Sequence, residues 1–230
     1  MSDAIRVGLI GYGYASKTFH APLISGTPGM ALTTVVSSDA QKVLADWPAT
    51  QVVTSANSLY ADPDIDLIVI PTPNDTHFPL ARAALEAGKH VIVDKPFTVT
   101  LSQARELDAI ARSRGRLLSV FHNRRWDSDF LTLKALIAAG DLGEVSYFES
   151  HFDRFRPQVR DRWREQGGPG SGIWYDLGPH LLDQAVNLFG LPVSIAVDLA
   201  QQRPGAQATD YFHAVLVYPQ RRVILHSTLL

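Results

Sequence analysis

Over the first half of the chain, short apolar runs alternate with helical patterns, an arrangement that requires a parallel sheet with crossover helices. Ile5-Arg6-Val7-Gly8-Leu9-Ile10 reads as a first strand, followed by a helix from about Ala15 to Ile24 that stops near Gly26. Ala31 to Val36 predicts the second strand, and Asp66 to Ile70 a further buried strand closed by Pro71-Thr72-Pro73-Asn74. A helix from near Thr76 ends at Gly88, a plausible C′ glycine, and His90 to Val93 is the next strand. Thr100 with Gln103 forms a capping-box signature for a helix ending at Gly115, before a last strand from Arg116 to Phe121. Beyond His122 the pattern changes. An amphipathic helix near Phe130 to Ala139 ends at Gly140, Val145 to Asp153 is extended, and a loop rich in Arg, Gly and Pro runs from Arg154 to Gly172. The next helix is expected to open at Pro179, where a first-turn proline is well tolerated, and to stop at Gly190. Segments around Val193 to Gln201, Tyr211 to Tyr218 and Arg222 to Leu230 predict an antiparallel sheet. The expected class is α/β. A doubly wound parallel sheet spans residues 1–122, and an α+β domain with a mostly antiparallel open sheet spans residues 123–230.

Composition narrows the function classes. The 230 residues are 46% hydrophobic and 19% charged, the profile of a globular protein with one large or two small domains. The formal net charge is -2 and no Lys/Arg run exceeds two residues, so the electrostatic footprint of a nucleic-acid binder is missing. The chain has no cysteine, which excludes disulfides, thiolate zinc sites and cysteine nucleophiles and is compatible with a reducing compartment. No basic-then-apolar leader opens the chain, and no apolar stretch approaches the roughly 20 residues that span a bilayer. A cytoplasmic protein without a membrane partner is expected.

Three motifs carry chemistry. Gly11-Tyr12-Gly13-Tyr14-Ala15-Ser16 follows the first strand and opens a helix. Glycines at the first and third positions let a pyrophosphate approach bare N–H groups at a helix N-terminus, and Ser16 in the last position is small enough for close packing. Such a turn also serves structural ends, and methyltransferases cradle their cofactor similarly. Asp94-Lys95-Pro96 lies at the carboxyl end of a strand, where ligands of doubly wound sheets bind. There Lys95 can donate to a hydroxyl or carbonyl oxygen. The bland alternative is a surface lysine in a turn stiffened by Pro96. In Asp176-Leu177-Gly178-Pro179-His180-Leu181-Leu182-Asp183, the three polar groups are expected to converge at a helix N-terminus, with His180 as a proton donor and acceptor. Asp176 could instead cap the helix and His180 be a core histidine. One histidine and two aspartates make a metal the weakest reading, and no metal site is expected.

Taken together, Gly11-x-Gly13-x-x-Ser16, Pro71-Thr72-Pro73-Asn74-x-x-His77, Gly88-Lys89-His90-Val91 leading to Asp94-Lys95-Pro96, and Asp176-x-Gly178-x-His180-x-x-Asp183 resemble the Gfo/Idh/MocA oxidoreductases over the whole chain. His122-Asn123-Arg124-Arg125-Trp126-Asp127 further resembles the subgroup of NADP-dependent scyllo-inositol dehydrogenases. The resemblance implies a Rossmann domain followed by an α/β domain whose open sheet often forms a homo-oligomer interface. It implies oxidation of a secondary alcohol on a sugar or cyclitol. Lys95 matches the family's active-site lysine and His180 its acid/base histidine, with Asp176 orienting that histidine or holding a substrate hydroxyl. Gly11, Tyr12, Gly13, Tyr14 and Ala15 would meet the dinucleotide, with Ser37 and Ser38 near its ribose and Asp94, Lys95 and Pro96 beside it. Pro71, Thr72, Asn74 and His77 would flank the nicotinamide ribose, and Trp163-Arg164 could close over the cofactor; for His77 a helix-start role competes equally. Asn123, Arg124, Arg154 and Arg156 are candidate substrate contacts, although arginine pairs on loops are more often solvated surface, and Trp126 reads first as packing.

Three features depart from the family pattern. Asp94 stands where a glutamate is usual. Ser37-Ser38 leaves room for a 2′-phosphate while Asp39 stands close by, so NADP is the expected cofactor and NAD the alternative. The chain stops within the apolar run Val223 to Leu230 and is expected to be a C-terminally truncated member. The rival class is therefore a dinucleotide-binding sensor, regulatory protein or inactive homologue.

Overall fold

The computed structural model describes residues 4–230. They fall into two units that divide between Phe121 and His122. No helix among the described residues is long and apolar enough to cross a membrane.

The first unit builds its sheet from β1 (Ile5–Ile10), β2 (Met30–Val36), β3 (Gln51–Val53), β4 (Leu67–Ile70), β5 (His90–Asp94) and β6 (Leu118–Phe121). Their order is β3-β2-β1-β4-β5-β6, with every pairing parallel. The order reverses between β1 and β4, so the loops after these two strands flank the point where such sheets bind ligands. A π-helical turn (Ser16–His20) running into α1 (Ala21–Gly26), then α2 (Ala40–Asp46), α3 (Ala56–Ala61), α4 (Asn74–Glu86) and α5 (Leu101–Arg114), make the crossovers. Leu67, Ile68, Val69 and Ile70 are all buried, as a strand covered on both faces must be. Ile68 and Ile70 pack with Leu85 and Leu107, whereas Leu67 and Val69 pack with Ala21 and Ile24.

The capping box forms as read. The Thr100 side chain accepts the Gln103 N–H, Gln103 accepts the Thr100 N–H, and Gly115 ends α5 in the left-handed region at φ 61°. The short elements α2, β3 and α3 were not foreseen. With three residues, β3 is too short to carry a readable alternation.

In the second unit a 3-10 turn (Asn123–Trp126) and α6 (Ser128–Ala139) precede β7 (Tyr147–His151), α7 (Gly172–Phe189), β8 (Ser194–Ala200), β9 (Tyr211–Val217) and β10 (Arg222–Thr228). The sheet order is β7-β10-β9-β8. Two pairings are antiparallel and β7 joins β10 in parallel, so the sheet is mixed. One face is apolar: Phe212, Ala214, Leu216, Val223 and Leu225 pack with Ile173, Leu181 and Ala185 of α7.

The start of α7 corrects the sequence reading. The helix opens at Gly172, not at Pro179, which lies inside it. Gly172 donates its N–H to the Arg164 carbonyl at 2.8 Å, and Ile173 donates to the Thr209 carbonyl at 2.7 Å, which pins the first turn. Burial of Ile173, Leu181 and Ala185 against the sheet then outweighs the N–H missing at Pro179. Trp126 is a second correction, since it is 74% exposed where packing was expected. Phe130 is the buried residue of α6.

Candidate active site

In the first unit the loop after β1 has the shape of an anion cradle. Gly11 takes φ 87° and donates its N–H to the Val36 carbonyl at 2.9 Å, while the Ser16 hydroxyl donates back to the Gly11 carbonyl at 2.8 Å. Gly13 is different: its φ is not positive, and a Cβ there would meet nothing within 4 Å. Neither backbone strain nor internal packing calls for glycine at that position, so the open face suits the close approach of a pyrophosphate. Tyr12 turns into the core. Burial, reinforced by a hydroxyl bond to Asp46 at 2.9 Å, pushes its pKa up to about 12, and Lys17 lies 2.8 Å from the same carboxylate. Only the Tyr12 backbone therefore remains for a ligand, whereas Tyr14 is 78% exposed and Ala15 half-buried.

At the end of β2, Ser37 is half-buried and Ser38 exposed. The Asp39 carboxylate is engaged as the N-cap of α2, accepting the Lys42 N–H at 3.0 Å. After β4, Pro71 and Thr72 are half-buried and Asn74 is buried at the start of α4. The Thr76 hydroxyl lies 2.6 Å from both the Pro73 carbonyl and the Thr72 hydroxyl. His77 is fully buried, and its two ring nitrogens stand 2.8 Å from the carbonyls of Pro96 and Thr72. It ties the turn after β4 to the turn after β5.

At the end of β5, Asp94 accepts the Lys95 N–H at 2.8 Å and its other oxygen lies 3.7 Å from His20 Nε2. Burial would raise the Asp94 carboxyl, but His20 and the N–H and charge of Lys95 outweigh it and hold the group below the usual aspartate range. Lys95 is half-buried and Pro96 buried, with a cis peptide between them. His20, buried against Phe121 at a ring distance of 4.4 Å, was missed by the sequence reading because no local signal links it to Asp94.

In the second unit, Asp176 and His180 lie four residues apart within α7, hence on one face. His180 is buried, with its ring 6.4 Å from Phe152. Asp176 lies 3.4 Å from Arg164, whose guanidinium stacks 4.3 Å above the Trp163 ring. Asp183 does not join them at a helix N-terminus as expected. It takes a bidentate pair from Arg125 at 2.7 and 2.5 Å and lies 3.8 Å from His122, which ties α7 to the 3-10 turn. Half-buried Asn123 opens that turn, and Arg124 bonds Asp127 at 2.8 Å and sits 5.8 Å above Phe152.

Asp176, Arg154, Arg156 and Arg164 line one cavity of about 190 Å³, together with Arg162, Glu165 and Arg203. Arg203 is buried and held by Asp210 at 2.9 Å and Glu165 at 3.0 Å, so it braces the wall. Burial and the guanidiniums of Arg162, Arg160 and Arg154 push the Arg156 pKa down. Arg162, Glu165 and Arg203 were not foreseen, because their convergence depends on chain crossings that sequence spacing does not encode.

Residues 5–122 match the family model described as oxidoreductase family, NAD-binding Rossmann fold, and residues 130–230 match the GFO/IDH/MocA C-terminal domain. The chain belongs to the Gfo/Idh/MocA oxidoreductase family. It is 81% identical over 230 residues to the uncharacterized oxidoreductase YdgJ of Escherichia coli K12, covering all of this chain and 66% of that protein. It is 39% identical over 225 residues to the NADP(+) scyllo-inositol 2-dehydrogenase IolW of Bacillus subtilis, covering 98% of this chain and 63% of that protein. The solved structure of YPO2259 from Yersinia pestis superposes with a TM-score of 0.94 at 71% identity, covering the whole chain and 65% of its counterpart. The chain thus spans just under two thirds of the length of these relatives.

Proposed function

We propose that the chain carries the cofactor loop and proton-handling groups of an NAD(P)-dependent dehydrogenase acting on a secondary alcohol of a sugar or cyclitol. The observation that carries this reading is the open face of Gly13 on the sheet edge where β5 delivers Lys95. When bound, the nicotinamide dinucleotide supplies the hydride transfer. The loop from Gly11 to Ala15 would hold its phosphates through the backbone N–H groups that follow Gly11, whose own N–H is engaged by the Val36 carbonyl, and Pro71, Thr72 and Asn74 would border its ribose. Lys95, its backbone fixed through Asp94, donates to the reacting oxygen. His180 takes the hydroxyl proton, and Asp176 orients it or holds a neighbouring hydroxyl.

In the second unit, Asn123, Arg124, Arg154 and Arg156 are the proposed substrate contacts, with Trp163-Arg164 beside the cofactor. Guanidinium donors beside the Asp176 carboxylate suit a molecule dense in hydroxyls. The 39% identity to an NADP(+) enzyme supports NADP, as does Asp39, whose carboxylate is committed to capping α2. Fluorescence titration with NADPH and NADH, followed by a panel of inositols and aldoses with NADP and NAD, tests the proposal. Selective NADPH binding with substrate-dependent NADP reduction is expected, and binding without turnover on any polyol would favour a non-catalytic dinucleotide binder.

A further inference from the structure

The face of the second unit's sheet opposite α7 carries a row of imidazoles. His226 of β10 stands in register with His151 of β7 on one side and His213 of β9 on the other. Their ring centroids are 4.8 Å apart for His151 and His226, and 5.7 Å for His213 and His226. Asp153, just beyond β7, turns its carboxylate to the same place: Oδ2 lies 3.4 Å from His151 Nδ1 and Oδ1 lies 3.7 Å from His226 Nε2. The Thr228 N–H donates to Oδ1 at 3.1 Å and fixes that carboxylate.

We propose that His151, Asp153 and His226 form a binding site for a divalent transition-metal ion, with zinc as its representative. The three potential ligand atoms lie within 4.8 Å of one another. Tetrahedral zinc with bonds of about 2.0–2.1 Å needs ligand separations of roughly 3.3 Å, a closure that the exposed His151 and Asp153 side chains make by small rotations toward half-buried His226. The surroundings of His151 complete the argument. Its other ring nitrogen, Nε2, lies 2.7 Å from Glu149 Oε1, and Glu149 Oε2 accepts the Tyr147 hydroxyl at 2.8 Å. A ligating histidine whose second nitrogen is held by a carboxylate is the usual support of a zinc site, fixing the tautomer and raising the basicity of the ligand. Two imidazoles and one carboxylate select zinc and its neighbours over magnesium or calcium, which take oxygen ligands. Water completes the shell, and the ion joins β7, at the edge of the sheet, to β10. The ligands lie on two strands far apart in sequence, so no local motif announces them.

Calorimetric titration of the purified chain with zinc tests this. One saturable site per chain is expected, with affinity at least about tenfold weaker in His151→Gln and in His226→Gln, and no site in the double variant. Glu149→Gln should weaken binding by about tenfold, whereas magnesium should give no saturable heat. Asp153→Asn, isosteric and on an exposed side chain, keeps the test valid if a histidine variant melts early; it too must weaken zinc binding. Absence of a saturable site, or unchanged affinity in the folded double variant or in Asp153→Asn, would overturn the assignment.

Discussion

His20 Nε2 lies 3.7 Å from the carboxylate of Asp94, whose other oxygen accepts the N–H of Lys95. The turn bearing Lys95 is thereby braced from within its own unit. The Asp94 pKa is lower folded than unfolded, so its stabilisation is present above the ordinary value of 3.8 and is lost as pH falls below 3.8 through the folded value. Asp94→Asn should flatten that acid limb. Acid denaturation of the two proteins followed by circular dichroism checks this; identical acid limbs would remove the charge from the account.

Gly13→Ala separates folding from binding. A Cβ there meets nothing within 4 Å, so the melting temperature should stay within about 2 °C of the parent, as for other surface changes without a structural role. NADPH affinity should fall by about tenfold or more, because the methyl group occupies the face offered to the pyrophosphate. Unchanged affinity would place the phosphates elsewhere.

Gly172→Ala should do the opposite and damage the fold. With φ at 86°, an added Cβ would come within 2.9 Å of the Thr209 backbone N and O. The left-handed conformation alone costs about 1–2 kcal/mol, and the backbone clash raises the total to about 3 kcal/mol. A thermal scan should show the midpoint falling by roughly 6–12 °C.

Tyr12 and Tyr60 are the tyrosines held furthest above their ordinary value. Burial pushes both Tyr12 and Tyr60 up to about 12, with Asp46 adding to the effect on Tyr12. Because the folded values are raised, their contribution to stability is full below the unfolded value of 10 and is lost as pH rises from 10 through about 12. Tyr147, through its bond to Glu149, and Tyr218, through burial, are also held above the ordinary value, so ultraviolet difference titration of Tyr12→Phe should lose one phenol from the late phase of the parent and keep the rest.

Legibility in the sequence followed the range of the interaction. The Thr100-Gln103 box and the left-handed Gly115 close within a few residues, and α5 is bounded where those residues place it. Strands β4 and β5 are apolar because they are central, and that burial is written in their composition. The start of α7 was misread because Gly172 and Ile173 are pinned by Arg164 and Thr209, contacts that outweigh the local preference of Pro179 for a first turn. The same applies to the candidate site. Lys95, Asp176 and His180 were legible as motif residues, whereas the His20 support behind Asp94 and the Arg203 brace with Asp210 exist only after folding.

The most direct test of the central claim is Lys95→Ala, with NADPH binding and turnover measured on the same preparation. The account predicts NADPH affinity within about threefold of the parent and turnover reduced by about 10²–10⁴-fold, the range that a positioned proton-transfer group supplies. Turnover per bound cofactor equal to that of the parent would contradict it.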